Sequence, residues 1–200
     1  MFQLPPATAI NKPLYKKAVF EKFNLKAAER DRFDADISRM VLVARVSSAT
    51  VPALTKGKEI EGFYVLQVAL KRKDYDTKNI LMLQKLIPQK MVFAMQHEEQ
   101  TQFCIFHTRL QQSAWMQTAE AAIPLQGLSL DDVWNNIVAT IGGLDAKAEE
   151  SIEEQIIYRE QQKKLLRQIE SLEKLCRTEK QTRKKYELHQ QIIKLKEELK

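Results

Sequence analysis

Residues 165–199 read LLRQIESLEKLCRTEKQTRKKYELHQQIIKLKEEL, and this stretch decides the fold of the last quarter of the chain. It carries two apolar stripes with the 4-3-4 spacing of a helix that buries a narrow seam against another helix. The first stripe consists of Leu165, Ile169, Leu172 and Cys176, and the second of Leu188, Ile192, Leu195 and Leu199. Because residues 147–200 contain no glycine or proline, their composition favours helix throughout.

The two stripes are out of phase with each other. Extending the first stripe by heptads places polar residues such as Arg183 and Gln190 on the seam, which a continuous coiled coil does not accommodate. Thr178 and Gln181 form the T-x-x-Q pattern of a capping box, so we expect a second helix to begin at Glu179. The sequence therefore favours an antiparallel, coiled-coil-like helical hairpin over a single rod.

In such a hairpin, Ile169 pairs with Leu188 and Leu165 pairs with Ile192. We also predict that the apolar seam residues bind a partner protein; they are Leu165, Ile169, Leu172, Leu188, Ile192, Leu195 and Leu199. Alternatively, the same stripes pair between two chains and give a structural homodimer.

Residues 1–145 show an α+β pattern, with a largely antiparallel sheet and flanking helices. We therefore predict a globular domain over residues 1–145 and the helical hairpin over 146–200. The predicted elements are a helix after an N-cap at Asn11, a helix over 26–40, strands over 40–46, 60–71, 91–97 and 101–108, a weaker strand near 114–119, a short helix capped at Asp76 or Thr77, and a helix capped by Ser129.

Composition excludes several classes of protein. Five glycines in 200 residues leave no glycine-rich nucleotide loop, and no apolar run is long enough to span a membrane. Cys104 and Cys176 both lie in apolar surroundings, and two such residues make neither a disulfide framework nor a zinc site. The N-terminus shows no signal-peptide pattern, so we expect a cytoplasmic protein.

No catalytic residue, metal site or cofactor is predicted. His97 and His107 lie far apart on neighbouring predicted strands, so they cannot share one metal ion. A restriction-endonuclease-type nuclease site needs an acidic residue two positions before the lysine of its strand, but Ala69 precedes Lys71. A divergent metal-dependent nuclease that uses Glu59, Glu61 or Asp74 remains an alternative, as does a degenerate version of that fold.

A dense basic cluster surrounds the expected hairpin turn, with only Glu179 to offset it. Its members, which we predict to bind nucleic acid, are Lys174, Arg177, Lys180, Arg183, Lys184 and Lys185. Such a cluster can neutralise backbone phosphates and release their counterions. Alternatively, it is a solvated tip that only keeps the protein soluble, since no pattern of base-stacking aromatic residues accompanies it.

Short motifs at both ends of the chain resemble an uncharacterised bacterial family labelled domain of unknown function 4391. They are Leu4-Pro5-Pro6, Thr8, Asn11-Lys12 and Lys16 near the start, and Leu172-Glu173-Lys174, Glu179-Lys180-Gln181, Lys184-Lys185 and Glu187-Leu188 near the end. The family's tail departs from this chain at His189 and Thr182. The resemblance implies genes near helicases and DNA methyltransferases in restriction or phage-defence islands, and it brings no known catalytic residues.

These observations predict a non-catalytic accessory subunit of a bacterial DNA-processing or phage-defence complex. Its partner would be a larger protein subunit, namely a helicase, methyltransferase or nuclease, and DNA would be a further partner. No membrane is expected to be involved.

Overall fold

Seven strands form one sheet in the first part of the chain. They are β1 (Ala9–Pro13), β2 (Ile37–Ser47), β3 (Gly62–Leu70), β4 (Met91–His97), β5 (Gln100–His107), β6 (Arg109–Gln112) and β7 (Met116–Gln117). The strands follow the order β1-β2-β3-β4-β5-β6, and β7 pairs with β5. All pairs are antiparallel except β3 with β4, which is parallel. These statements refer to residues 1–146, 148 and 150–199, which the computed structural model describes.

The described residues form six α-helices, four in the same part of the chain as the sheet and two near the C-terminus. They are α1 (Lys16–Lys22), α2 (Ala27–Asp36), α3 (Lys78–Leu86), α4 (Leu130–Gly142), α5 (Ile152–Thr178) and α6 (Thr182–Glu197). The chain divides into two units, Met1–Ala148 and Glu149–Lys200, of which Lys147, Glu149 and Lys200 lie outside the described residues. The predicted α+β class is confirmed, with a largely antiparallel sheet and two C-terminal helices packed against each other.

The central strands β3 and β4 are buried on both faces. On one face, Leu66 and Phe93 belong to a buried apolar cluster that includes Val19 of α1, Phe33 of α2 and Ile80 of α3. On the other face, Phe63 packs against Trp134 of α4, with ring centroids 5.6 Å apart. Parallel strands need a crossover connection, and α3 supplies it between β3 and β4.

The first turn of α4 holds the loop that precedes β3. The Asp131 carboxylate accepts hydrogen bonds from the backbone N–H groups of Lys58 at 2.6 Å and Ile60 at 2.8 Å. Burial raises the pKa of Asp131, but these and neighbouring backbone hydrogen bonds outweigh it and leave the pKa lowered. Ser129 caps the helix, as predicted, with its hydroxyl accepting from the backbone N–H of Asp132.

Gly57 has no room for a side chain beside this carboxylate. A Cβ atom at Gly57 would lie 2.1 Å from Asp131 Oδ1 and 2.8 Å from the carbonyl oxygen of Ile60. We expect Gly57→Ala to displace Asp131 and to cost about 1 kcal/mol or more in free energy of unfolding, measured by urea titration. Lys58→Ala is the control in the same loop and should change stability by less than ~0.5 kcal/mol. Equal stability of Gly57→Ala and the wild type would contradict this reading of the loop.

The helix predicted over 26–40 ends earlier than expected. Phe33, Ile37 and Met40 follow helical spacing and are all buried, but α2 ends at Asp36. Ile37 instead begins β2 and pairs with Leu70 of β3. Apolar residues at this spacing favour a helix locally. The pairing of β2 with β3 overrides this local preference and ends the helix at Asp36.

The N-terminal helix cap predicted at Asn11 is wrong. Asn11 lies in β1 with a φ of 54°, and the pairing of β1 with β2 shifts register between Ala9 and Lys12. Asparagine tolerates this left-handed conformation better than most residues, so it suits an irregular position in a strand. The helix that follows, α1, begins only at Lys16.

Candidate functional site at the hairpin tip

The first helix of the hairpin has a complete cap at its start. The Ser151 hydroxyl accepts a hydrogen bond from the backbone N–H of Glu154 at 3.2 Å, and the Glu154 carboxylate accepts one from the backbone N–H of Ser151 at 2.8 Å. The Ser151 hydroxyl also donates to the Glu154 carboxylate at 2.8 Å, and the two hydrogen bonds that this carboxylate accepts from Ser151 lower the pKa of Glu154. The capping box thus fixes the beginning of α5, which then continues for 27 residues.

The turn between the helices differs in detail from the predicted one. Thr178 does not cap a second helix; it is the last residue of α5, and its hydroxyl donates to the carbonyl of Leu175 at 3.1 Å. The Glu179 carboxylate accepts a hydrogen bond from the backbone N–H of Gln181 at 2.8 Å, and α6 begins at Thr182. The break between the two stripes is where the sequence predicted it, but the second helix starts three residues later.

Two contacts across the hairpin show that its helices are antiparallel. Lys196 Nζ lies 2.8 Å from a carboxylate oxygen of Glu173, and the Cys176 thiol donates to the carbonyl of Lys185 at 3.7 Å. Because the turn occupies residues 179–181, positions equally distant from Lys180 are level with each other. Leu172 is therefore level with Leu188, about one helical turn from the predicted pairing of Ile169 with Leu188.

The seam residues that were predicted to bind a partner lie within the hairpin. Ile169 of α5 and Ile192 of α6 are each only 5% exposed. The remaining members are half-buried: Leu165, Leu172, Leu188, Leu195 and Leu199. The seam therefore has a partner within one chain, and partner binding by these side chains remains a prediction.

All six cations of the predicted basic cluster are exposed at the tip. Two of them form ion pairs within their own helix, Lys174 with Glu170 at 2.8 Å and Arg183 with Glu187 at 3.3 Å. The hydrogen bond and charge of Lys174 lower the pKa of Glu170. Among the described residues, Lys180, Lys184 and Lys185 form no ion pair within 4.0 Å.

The charge of this tip is concentrated in a short span. Residues 174–185 contain six basic residues and one acidic residue, Glu179, which gives a formal charge of +5 (6 − 1). The chain as a whole carries +6. A compact, exposed cluster of this kind attracts polyanions, and its attraction is screened by salt.

Beside the tip lies an open groove of about 600 Å³ between the two helices. Leu175 and Leu188 supply apolar surface, and Lys180 and Lys184 line it together with Glu179 and Glu187. Leu175 is 54% exposed. The heptad pattern did not reveal this groove because Leu175 lies outside both stripes, and its exposure beside Lys180 depends on the turn.

The acidic residues of the nuclease alternative do not come together. Glu59 and Glu61 precede β3, whereas Asp74 follows it, so roughly 26 Å of strand separates them. Glu61 instead pairs with Lys56, whose hydrogen bond and charge lower the pKa of Glu61. Within residues 1–146, 148 and 150–199, no group of three or more His, Cys, Asp or Glu side chains is arranged to hold a metal ion.

A buried carboxylate that the sequence did not single out joins three elements of the N-terminal unit. Asp36, at the end of α2, is 1% exposed and pairs with the guanidinium of Arg72. It also accepts hydrogen bonds from the side chain of Asn79 at 2.8 Å and from the backbone N–H of Asp76 at 2.9 Å. Arg72 and Asp76 lie in the connection between β3 and α3, and Asn79 lies in the first turn of α3, so Asp36 holds this connection and the start of α3 in place.

The buried cysteine is not suited to nucleophilic chemistry. Burial raises the pKa of Cys104 to about 11, and the Tyr75 hydroxyl lies 3.4 Å from its sulfur. Burial also raises the pKa of Tyr75. Because the thiolate is the reactive form of cysteine, Cys104 stays protonated and unreactive near neutral pH.

One family model matches residues 2–199, which is nearly the whole chain. The chain belongs to this family, described as Domain of unknown function (DUF4391). The predicted membership of DUF4391 is thereby confirmed, whereas its association with defence islands remains a prediction. No curated protein and no solved structure matches the chain. Among the described helices, none has the length and hydrophobicity that crossing a membrane requires.

Proposed function

We propose that this protein is a non-catalytic accessory subunit of a bacterial DNA-processing or phage-defence complex, and that its hairpin tip contacts the phosphate backbone of nucleic acid. The observation that carries the proposal is the tip itself, where residues 174–185 place six exposed cations and one acidic residue around a three-residue turn. A solvated face that serves only solubility usually mixes both signs of charge. At the tip, Lys180, Lys184 and Lys185 form no ion pair with any described residue, and this surplus of positive charge favours a polyanionic ligand.

The length of the hairpin helices places this charge far from the start of α5. Helix α5 has 27 residues, which corresponds to about 40 Å at ~1.5 Å per residue. The cations lie around the turn, at one end of the hairpin. The buried side chains of Ile169 and Ile192 in the seam hold the two helices together. Contacts from such a tip to phosphates would position the protein on nucleic acid without reading its sequence.

The larger partner is proposed from the family resemblance, which implies neighbouring helicases and methyltransferases. A basic accessory arm fits such an assembly because the larger enzyme would supply the chemistry and the arm would add affinity for the phosphate backbone. A helicase, methyltransferase or nuclease subunit is thus the proposed protein partner, and the protein is proposed to act in the cytoplasm.

Neutralising the tip tests the proposed nucleic-acid contact. We expect the variant with Lys180, Arg183, Lys184 and Lys185 all changed to Gln to bind a DNA duplex at least about tenfold more weakly at low salt. The slope of log K against log salt concentration should fall by up to about 3.6, since each phosphate contact contributes about 0.9. Fluorescence anisotropy with labelled duplex and single-stranded DNA measures both quantities.

The matched control removes the same charge elsewhere on the hairpin. Lys163, Lys164, Arg167 and Lys194 are exposed and lie outside the tip, so changing all four to Gln also lowers the net charge from +6 to +2. We expect this control to retain most of the affinity. If both variants lose affinity equally, the binding depends on overall charge and the tip is not the contact; if neither loses affinity, nucleic-acid binding by the tip is wrong.

A further inference from the structure

We infer that two exposed ring side chains of α6, Tyr186 and His189, stack against unpaired bases of the nucleic acid that the tip binds. The ligand of the tip is then single-stranded nucleic acid. The inference rests on the phosphate contact proposed above. It adds the class of nucleic acid and the side chains that distinguish a single strand from a duplex.

The Tyr186 side chain is exposed close to the turn. It is 64% exposed, and it lies four residues after the start of α6 at Thr182, which is about 6 Å along the helix. Among the described residues, no side chain hydrogen-bonds to its hydroxyl, and no cation or second aromatic ring lies against its ring. The flat apolar ring is therefore open to a ligand.

His189 adds a second ring on the same side of α6. It follows Tyr186 by three residues, which places the two side chains about 60° apart around the helix and ~4.5 Å apart along it. His189 is exposed too. Leu188, which lines the groove described above, points about 200° away from Tyr186, so the two rings and the groove lie on opposite sides of α6.

Cations accompany these rings. Residues 183–189 contain three basic residues and one acidic residue, Glu187, which gives a formal charge of +2 (3 − 1). Glu187 is paired with Arg183, and Lys185, directly before Tyr186, forms no ion pair with any described residue. Proteins that bind single strands combine such cations, which bind the phosphates, with rings on which the bases stack.

Stacking on these rings selects single strands over duplexes. In a duplex the bases stack on one another, and a protein reaches only their edges in the grooves. Unpaired bases expose their faces, and stacking on an aromatic ring tolerates every base. The linear sequence shows no run of aromatic residues at the tip; the structure adds the exposure of Tyr186 and its place on one side of α6 with His189.

Three labelled probes test the inference by fluorescence anisotropy with the full-length protein: a short strand of thymidines, an abasic strand of the same length, and a duplex. The abasic strand keeps the phosphates but has no bases. We expect Tyr186→Ala to bind the thymidine strand at least about fivefold more weakly and to bind the abasic strand and the duplex within about twofold of the wild type. His189→Ala should weaken binding of the thymidine strand as well. Tyr186→Phe keeps the ring and should bind as the wild type does.

Tyr158→Ala is the matched control. Tyr158 is 59% exposed and belongs to the same hairpin, but it lies near the start of α5, whereas the turn follows the end of that helix. This variant should bind all three probes as the wild type does. Circular dichroism should show that every variant keeps the hairpin.

Four results would overturn the inference. They are an unchanged affinity of Tyr186→Ala for the thymidine strand, an equal loss on the abasic strand, a loss in Tyr186→Phe as large as in Tyr186→Ala, and the same loss in Tyr158→Ala. Each can occur while neutralising the tip still abolishes DNA binding, and the proposed function then stands without base stacking. If neutralising the tip leaves DNA binding unchanged, the proposed function itself fails.

Discussion

Replacement of Ile192 by aspartate is expected to unfold the hairpin and leave the N-terminal unit intact. Ile192 is 5% exposed in the seam, and a carboxylate there would lose its hydration without gaining a partner. Loss of the buried isoleucine and burial of the charge together should cost about 4 kcal/mol or more, which exceeds what a two-helix seam can supply. Far-UV circular dichroism should lose helical signal, and DNA binding by the tip should disappear with it.

Tryptophan fluorescence separates the two units in this experiment, since Trp115 and Trp134 both belong to the first unit. We expect their emission and its thermal transition to be unchanged in Ile192→Asp. Ile193→Asp is the control at the next position of α6, where the side chain is partly exposed and the change should be nearly neutral. Equal loss of helix in both variants would contradict the assignment of Ile192 to the seam.

Asp36→Ala is expected to lower the free energy of unfolding of the N-terminal unit by about 3 kcal/mol. The buried amide of Asn79 and the backbone N–H of Asp76 would lose their acceptor, and Arg72 would lose its ion pair. Arg72 is itself more than half exposed, so water would replace part of that ion pair. Urea unfolding followed by tryptophan fluorescence measures the change.

Asp34→Ala is the control for Asp36→Ala. Asp34 also pairs with a cation, Lys16, but it is partly exposed at the surface of the same helix. Its loss should cost less than about 1 kcal/mol. A loss for Asp36→Ala as small as that for Asp34→Ala would mean that the buried hydrogen bonds of Asp36 add nothing to stability.

The elements that the sequence predicted well depend on local signals. Ser129, with Asp132 three residues later, marks the start of α4 because both side chains bond to backbone groups within one turn. The two stripes of the hairpin were visible because a seam between helices repeats at a fixed spacing. The cations at the tip were found for a similar reason, since they lie close together along the chain.

Features that depend on long-range pairing were predicted poorly. The boundary between α2 and β2 was misplaced because Ile37 satisfies a helical pattern until its pairing with Leu70 is known. Asp36 bonds to Arg72, which lies 36 positions along the chain, and to Asn79, which lies 43 positions along it. No local pattern in the sequence reveals contacts over such separations. The groove was missed because the length of the turn sets the helix register, and a three-residue turn cannot be distinguished from a shorter one by heptads alone.

The crossover through α3 also bears on how fast the chain folds. Tyr64 and Met91, which pair in the parallel strands, are 27 positions apart, whereas Cys176 and Lys185 of the hairpin are only nine apart. Closing the longer loop loses more conformational entropy of the chain before the strands make their stabilising contacts. Folding rates fall as contacts become less local. The helical hairpin should therefore form before the sheet closes. During that interval the unpaired edges of β3 and β4 are the surfaces most open to aggregation.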